Sequence, residues 1–133
     1  MGNGRSSPAN EYPDGVDRSL DAVDWLGRTV EVVIDRPLGS DHPRHADLRH
    51  ELNYGFVPGT VAPDGEPLDA YLLDVSAPVE AASGMVIAIV RRRDDVEDKL
   101  VVVTRASAWE AAAIAAAVRF QEQYFDTYIE MAP

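Results

Sequence analysis

Cysteine is absent from this 133-residue chain. That excludes disulfide staples, thiolate metal sites and cysteine nucleophiles, and it agrees with a cytoplasmic setting. Long hydrophobic runs are absent as well. Met85–Val90 and the alanine-rich Ala111–Val118 both fall far short of the roughly 18 residues a membrane span requires. The N-terminus has neither the basic nor the apolar stretch of a signal peptide. Positive charge is scarce: Lys and Arg total 12 against 23 Asp and Glu, a net charge of −11. A chain this acidic repels a phosphate backbone, so neither nucleic acid nor a membrane is expected as a partner. The same field repels a small phosphorylated molecule unless a divalent cation stands between them. What is present, 46% hydrophobic and 8% aromatic residues, is enough for the core of one domain.

Regular patterning begins late. Met1–Gly15 is rich in Gly, Asn, Ser and Pro without apolar periodicity and reads as flexible. Val16, Leu20, Val23 and Leu26 follow at helical spacing, predicting a weak amphipathic helix over Val16–Leu26. The chain therefore divides into an extension, residues 1–24, and one domain, residues 25–133. Over Arg28–Asp35 the period becomes two, with Val30, Val32 and Ile34 on one side, which predicts a half-buried strand. Pro37, Gly39 and Pro43 then make Arg36–Leu52 a long loop, the kind of segment that carries function in a small domain. Gly55–Val61 and Leu68–Leu73 are strand candidates around the turn Pro63-Asp64-Gly65. Met85–Arg92 and Leu100–Thr104 are two more, joined by the acidic segment Asp94–Asp98. Ser107-Ala108-Trp109-Glu110 has the spacing of a capping box, and an alanine-rich helix is expected after it. Trp109, Ala113, Ala116, Ala117, Phe120 and Tyr124 would form its buried stripe. Five short strands and one long terminal helix predict a mainly β fold with α: a five-stranded OB-like β-barrel with the helix packed on it.

Three polar groups carry the candidate chemistry. In Asp64-Gly65-Glu66-Pro67-Leu68-Asp69 a glycine turn lets three carboxylates converge, a donor set suited to a hard cation such as Mg²⁺. Read plainly, the same run is a solvated hairpin turn. Asp94, Asp95, Glu97 and Asp98, followed by Lys99, form a second acidic connection. By itself it is a solvated loop; sharing a mouth with the first, it would hold metal ions and present Lys99 to a phosphate. The third group is the loop with Arg36, Arg44, Arg49 and all three histidines, His42, His45 and His50. It suits an anion clamp centred on Arg44, a histidine metal site or simply a polar loop. Tyr54 and Tyr124 join the site if their hydroxyls point into the same mouth, and are otherwise ordinary core residues.

These pieces resemble, in their order along the chain, the soluble metal-dependent inorganic pyrophosphatases. The likeness is carried by Val32-Val33-Ile34-Asp35-Arg36-Pro37, Asn53-Tyr54-Gly55-Phe56-Val57-Pro58, Asp64-Gly65-Glu66-Pro67-Leu68-Asp69 and Asp98-Lys99-Leu100-Val101, with a weaker echo at Phe120–Asp126. The resemblance implies a five-stranded OB-like barrel, Mg²⁺ (or Mn²⁺) as cofactor, hydrolysis of pyrophosphate to two phosphates, and assembly into oligomers. It also implies roles. Asp64 and Asp69 would bind metal, with Asp69 bridging ions around the attacking water, and Glu66 would be the general base. Asp94 or Asp95, and Glu97 or Asp98, would form the second metal-binding pair, with Asp35 a further acidic member. Lys99, Arg44, Tyr54 and Tyr124 would hold the phosphates.

Four departures from the family pattern stand out. Glu66 replaces an aspartate, moving its oxygens by on the order of 1 Å. His50 replaces a tyrosine, Phe125 replaces the lysine after the site tyrosine, and a family arginine has only Arg49 as a nearby counterpart. Two further readings follow from these departures: a hydrolase of another phosphoanhydride, such as a nucleotide or organic diphosphate, and a non-catalytic metal- or anion-binding relative.

Overall fold

The computed structural model describes residues 21–44, 47–93 and 97–133. Period-two patterning accounts for most of it. The strands are β1 (Thr29–Arg36), β2 (Asn53–Phe56), β3 (Asp69–Leu72), β4 (Ala81–Arg92), β5 (Asp98–Val103) and β6 (Thr127–Met131), with one helix, α1 (Ala111–Glu122), before β6. The sheet runs β1-β2-β3-β5-β4-β6, and β1 also pairs with the first half of β4. That second pairing closes five strands into a ring, the expected OB-like arrangement, with α1 against its outside. All pairings are antiparallel except β3 with β5.

Alternation sends neighbouring residues to two cores. Val30, Val32, Ile34, Ala70, Leu72, Leu100 and Val102 pack inside the ring. Tyr54, Tyr71, Leu73, Ala88, Val90, Val101 and Val103 face outward against Ile114, Val118 and Phe120 of α1. Burying both faces explains why β3 and β5 read as continuous apolar runs rather than as alternating ones.

Several expectations are corrected in detail. The strand after the long loop is Asn53–Phe56, earlier than the predicted Gly55–Val61. The chain beyond it turns instead, held by Thr60, whose hydroxyl donates to the Val57 carbonyl and accepts from the Leu68 N–H. The capping box does not form. The Ser107 hydroxyl accepts from the Trp109 indole, and the helix starts after Glu110 without a side-chain cap. Its buried face is Ile114, Val118, Gln121 and Glu122 with Phe120, one step round from the predicted stripe. β6 was not anticipated; it follows the helix after a short turn and pairs with Ala88–Arg92 of β4. Most of the predicted extension lies outside the described residues. Ala22–Trp25 form a 3-10 turn whose capping box is made by Asp21 and Asp24, and Ala22 packs into the inner core.

Two buried polar or small residues set β2 in place. Asn53 is wholly buried, donating to the carbonyls of Val75 and Ala77 and accepting from the N–H groups of Leu38 and Val79. Two residues on, Gly55 lies flat against β1. A Cβ there would sit 1.8 Å from the Val33 carbonyl oxygen, an overlap only backbone movement could relieve. Gly55→Ala is therefore expected to cost about 3 kcal/mol or more, read as a lower urea midpoint. An unchanged midpoint would show that β1 and β2 are not this tightly apposed.

Candidate active site

One face of the sheet runs past the end of the outer core into a cavity of about 410 Å³. The register decides what lines it. Tyr54 on β2 stands opposite Tyr71 on β3, and Asp69 on β3 stands beside Lys99 on β5. Because side chains two apart share a face, Asp69 follows Tyr71 and Leu73, Lys99 follows Val101 and Val103, and Arg92 follows Ala88 and Val90 out of the apolar core. A bulge at Asp35 adds Arg36: Ile34 pairs with Gly55 but Arg36 pairs with Tyr54. The extra residue moves Arg36 off the face of Ile34 and onto that of Tyr54, with the guanidinium 5.6 Å from the ring centroid.

The floor is a connected polar network. The Tyr54 hydroxyl donates to Asp69 Oδ2 at 2.7 Å. Lys99 Nζ lies 5.1 Å from the Tyr54 ring and 3.3 Å from Glu122 Oε2. The Tyr71 hydroxyl donates to that same oxygen at 2.6 Å, and Gln121 donates to the Tyr71 hydroxyl. Burial raises the pKa of Asp69, with the Tyr54 hydrogen bond, Lys99 and Arg36 opposing. Burial lowers the pKa of Lys99, opposed by Glu122. At Glu122 burial works against the charge, but Lys99, the Tyr71 hydroxyl and Arg92 outweigh it and hold the carboxyl below its usual range. The Tyr54 hydroxyl is held well above its usual pKa by burial and by Asp69, so it acts as a donor.

The structure brings Tyr54, Asp69, Glu97, Lys99, Arg44 and Tyr124 to this cavity. Asp69 is half-buried, whereas Tyr124 is exposed at the rim. Arg44 arrives on the long loop, which folds back through a bridge between Asp41 and Arg49, and its backbone N–H donates to His42 Nδ1. Arg49 itself is exposed and ion-paired with Asp41. Asp98 is half a period out from Lys99; it faces the other way and pairs with Arg91 at 3.1 Å. Asp64 and Glu66 are exposed on the turn before β3, where Asp64 Oδ1 accepts from the Glu66 N–H and Gly65 takes a φ of +88°. Neither lines the cavity, nor does Asp35, which is exposed at the bulge. Asp94, Asp95 and His45 lie outside the described residues.

Arg92, Gln121 and Glu122 are not among the site residues read from sequence, and Arg36 is read there only as a member of the long loop. Arg36 depends on a bulge that leaves no mark in sequence. For Arg92 the signal was alternation: it stands two residues beyond Val90, in a run of three arginines that looks like a solvated patch. For Glu122 it was helical spacing, four residues after Val118 and eight after Ile114.

Mg²⁺ is commonly held through one or two carboxylates together with substrate phosphate oxygens and water. Asp69 and Glu97 meet that donor chemistry from two walls of the cavity. Among the described residues, no three acidic or histidine side chains are grouped closely enough to share an ion.

The family model for inorganic pyrophosphatase matches residues 31–131 of the chain. A curated inorganic pyrophosphatase of Gluconobacter oxydans (strain 621H) is 30% identical over 76 residues, which is 55% of this chain and 43% of that protein. The match thus spans less than half the length of that relative. The fold is similar to that of an inorganic pyrophosphatase from Ehrlichia chaffeensis, with a TM-score of 0.63 at 17% identity over 89% of this chain and 90% of the other. An inorganic pyrophosphatase from Neisseria gonorrhoeae gives a TM-score of 0.59 at 23% identity over 83% and 85% of the two chains.

His50, under the loop that delivers Arg44, gives the region a pH signature. Its ring is 1% exposed and neither nitrogen has a hydrogen-bond partner among the described residues. Burial, with Arg36, His42 and Lys99 adding repulsion, lowers its pKa to about 4 from 6.5. Between those values the unfolded chain binds a proton that the folded chain excludes, so stability falls as pH drops through that window. From pH 7 to pH 4.5 the wild type should lose about 2 kcal/mol more than His50→Phe, measured by urea unfolding at both pH values. Equal losses in the two proteins would show that His50 accepts its proton freely in the fold.

Proposed function

The chain belongs to the inorganic pyrophosphatase family, and from that premise we propose that it hydrolyses pyrophosphate to two phosphates in this cavity, with Mg²⁺ as cofactor. The observation that carries the reading is the adjacency of Asp69 and Lys99 across β3 and β5, the one an anchor for a cation and the other for an anion. In an acidic chain, a diphosphate needs both.

In this reading Lys99 and Arg44 neutralise oxygens of the diphosphate, and Tyr124 closes the rim over it. Tyr54 holds Oδ2 of Asp69 by its hydrogen bond, which fixes the carboxylate in the orientation a substrate and ion must meet. Asp69 and Glu97 would hold Mg²⁺; Asp64, Asp94, Asp95, Asp98 and Asp35 are the other acidic residues to which the resemblance gives a metal-binding role. A bound divalent ion supplies charge neutralisation and a more acidic water. The base that the resemblance assigns is Glu66, although its side chain stands on the exposed turn outside the cavity lining. The transfer itself needs water to attack one phosphorus, a base to take its proton, and the bridging oxygen to leave with the other phosphate. Positioning and charge stabilisation are most of what such a transfer asks of a protein. Cytoplasmic residence and self-association belong to the same reading and are checked by fractionation and sedimentation.

A second reading draws on the rim. Tyr124 is 60% exposed and Phe125 41% exposed beside the cavity. Such aromatic faces suit an organic diphosphate whose non-phosphate part stacks on them. A panel of pyrophosphate and nucleoside diphosphates at fixed Mg²⁺ separates the two, and hydrolysis of pyrophosphate alone removes the second.

The wild type is expected to release phosphate from pyrophosphate with Mg²⁺ and to stop on chelation. Asp69→Asn keeps the size and the Tyr54 contact but loses the charge, and should lower kcat/KM by about 100-fold. No release by the wild type at micromolar enzyme would overturn the hydrolase reading. Wild-type kcat in Glu66→Gln would remove Glu66 as the base without touching the rest.

A further inference from the structure

Three arginines follow one another at the end of β4, and the structure gives each a different task. Arg91 pairs with Asp98 and Glu130, and Arg93 pairs with Asp126 under Tyr128. Arg92 alone turns into the cavity. Its side chain is only 5% exposed, its Nε lies 3.3 Å from Glu122 Oε1, and its Nη1 lies 2.7 Å from Glu97 Oε1. Its guanidinium carbon sits 3.5 Å from the centroid of the Phe125 ring. A guanidinium held on one edge by a carboxylate and on one face by an aromatic ring has its fork direction set before any ligand arrives.

Glu122 sets the spacing of two cations at once. One of its oxygens holds Arg92 and the other holds Lys99, while its own side chain is 3% exposed. The partner on the cavity side differs: the Glu97 side chain is 39% exposed. The Glu122 contacts are thus shielded from water, whereas the contact with Glu97 is open to competition from an incoming anion.

We propose that Arg92 is a phosphate-binding residue of this cavity and that Glu122 is the positioning residue that holds both Arg92 and Lys99 in place for a diphosphate. The proposal rests on the pyrophosphate reading for the identity of its ligand. A diphosphate offers one anionic group to each of the two cations, whereas a single phosphate must share one group between them.

The test is calorimetric binding of methylenediphosphonate, a diphosphate analogue that cannot be hydrolysed, to the full chain with Mg²⁺, beside inorganic phosphate as the single-group control. Arg92→Met should weaken diphosphonate binding by about 30-fold, the effect of losing a charge-assisted pair, and should weaken phosphate binding less. Arg92→Lys keeps charge and fold but loses the fork, and should bind at least about 5-fold more weakly than the wild type. Glu122→Gln should weaken binding with it, and the double variant Glu122→Gln/Arg92→Lys should lose less than the product of the two, since both act on one contact. Wild-type affinity in folded Arg92→Met, or in Arg92→Lys should the first variant not fold, overturns the proposal. Independent, multiplying losses overturn the positioning role of Glu122. Wild-type protein that binds the diphosphonate but releases no phosphate from pyrophosphate sinks the hydrolase reading and leaves this one standing. Wild-type protein that binds no diphosphonate sinks both.

Discussion

Parallel pairing of β3 with β5 puts the Asp69 carboxylate and the Lys99 amine at adjacent positions on one face of the sheet, and the rest of the cavity is ordered around that pair. A parallel neighbour cannot come from a tight hairpin. The connection from β3 runs through the whole of β4 before β5 returns beside it, and β4 brings Arg92 with it. The closed ring leaves α1 on the outside, where its last turn delivers Glu122 beneath Lys99. The polar network is therefore a consequence of ring closure rather than of any local motif.

Electrostatics explains why so acidic a chain has its scarce cations here. Lys99 is the only lysine in the sequence, and it is buried. Burial of an amine is costly and is tolerated where a carboxylate stands against it, which is what Glu122 does. The chain carries a net charge of −11, yet the cavity wall, with Arg36, Arg44, Arg92 and Lys99 facing Asp69 and Glu97, has the opposite balance among the described residues. A field of that shape admits an anion to one place and repels it elsewhere.

Legibility in the sequence follows the range of the forces involved. β1 was visible because Val30, Val32 and Ile34 need only their own alternation to be seen, and so was the acidic run ending in Asp69. The adjacency of Asp69 to Lys99 is not legible, because it depends on a register between strands thirty positions apart. β6 was invisible because Thr127–Met131 has no periodicity of its own and is a strand only through β4. The helix face was misplaced because alanines look apolar on every side, whereas Ile114 and Val118, the larger groups, choose the buried one. Asp98 and Lys99 stand together in sequence, yet adjacent residues of a strand point to opposite faces, and that sends Asp98 to Arg91.

Phe125 brings these threads together. The resemblance expects a lysine there, and on charge alone its loss would leave the phosphate side of the cavity thin. In the structure the ring is not idle: its face carries the guanidinium of Arg92, which enters from β4 instead of from the segment after the helix. A flexible lysine at the rim would have kept its charge partly in water. An arginine clamped between Phe125 and Glu122 is more deeply buried and more rigid, so more of its charge is felt inside the cavity and less conformational freedom is lost when an anion arrives. The position that looks from sequence like a missing cation thus seats, on its aromatic face, a cation supplied from another strand.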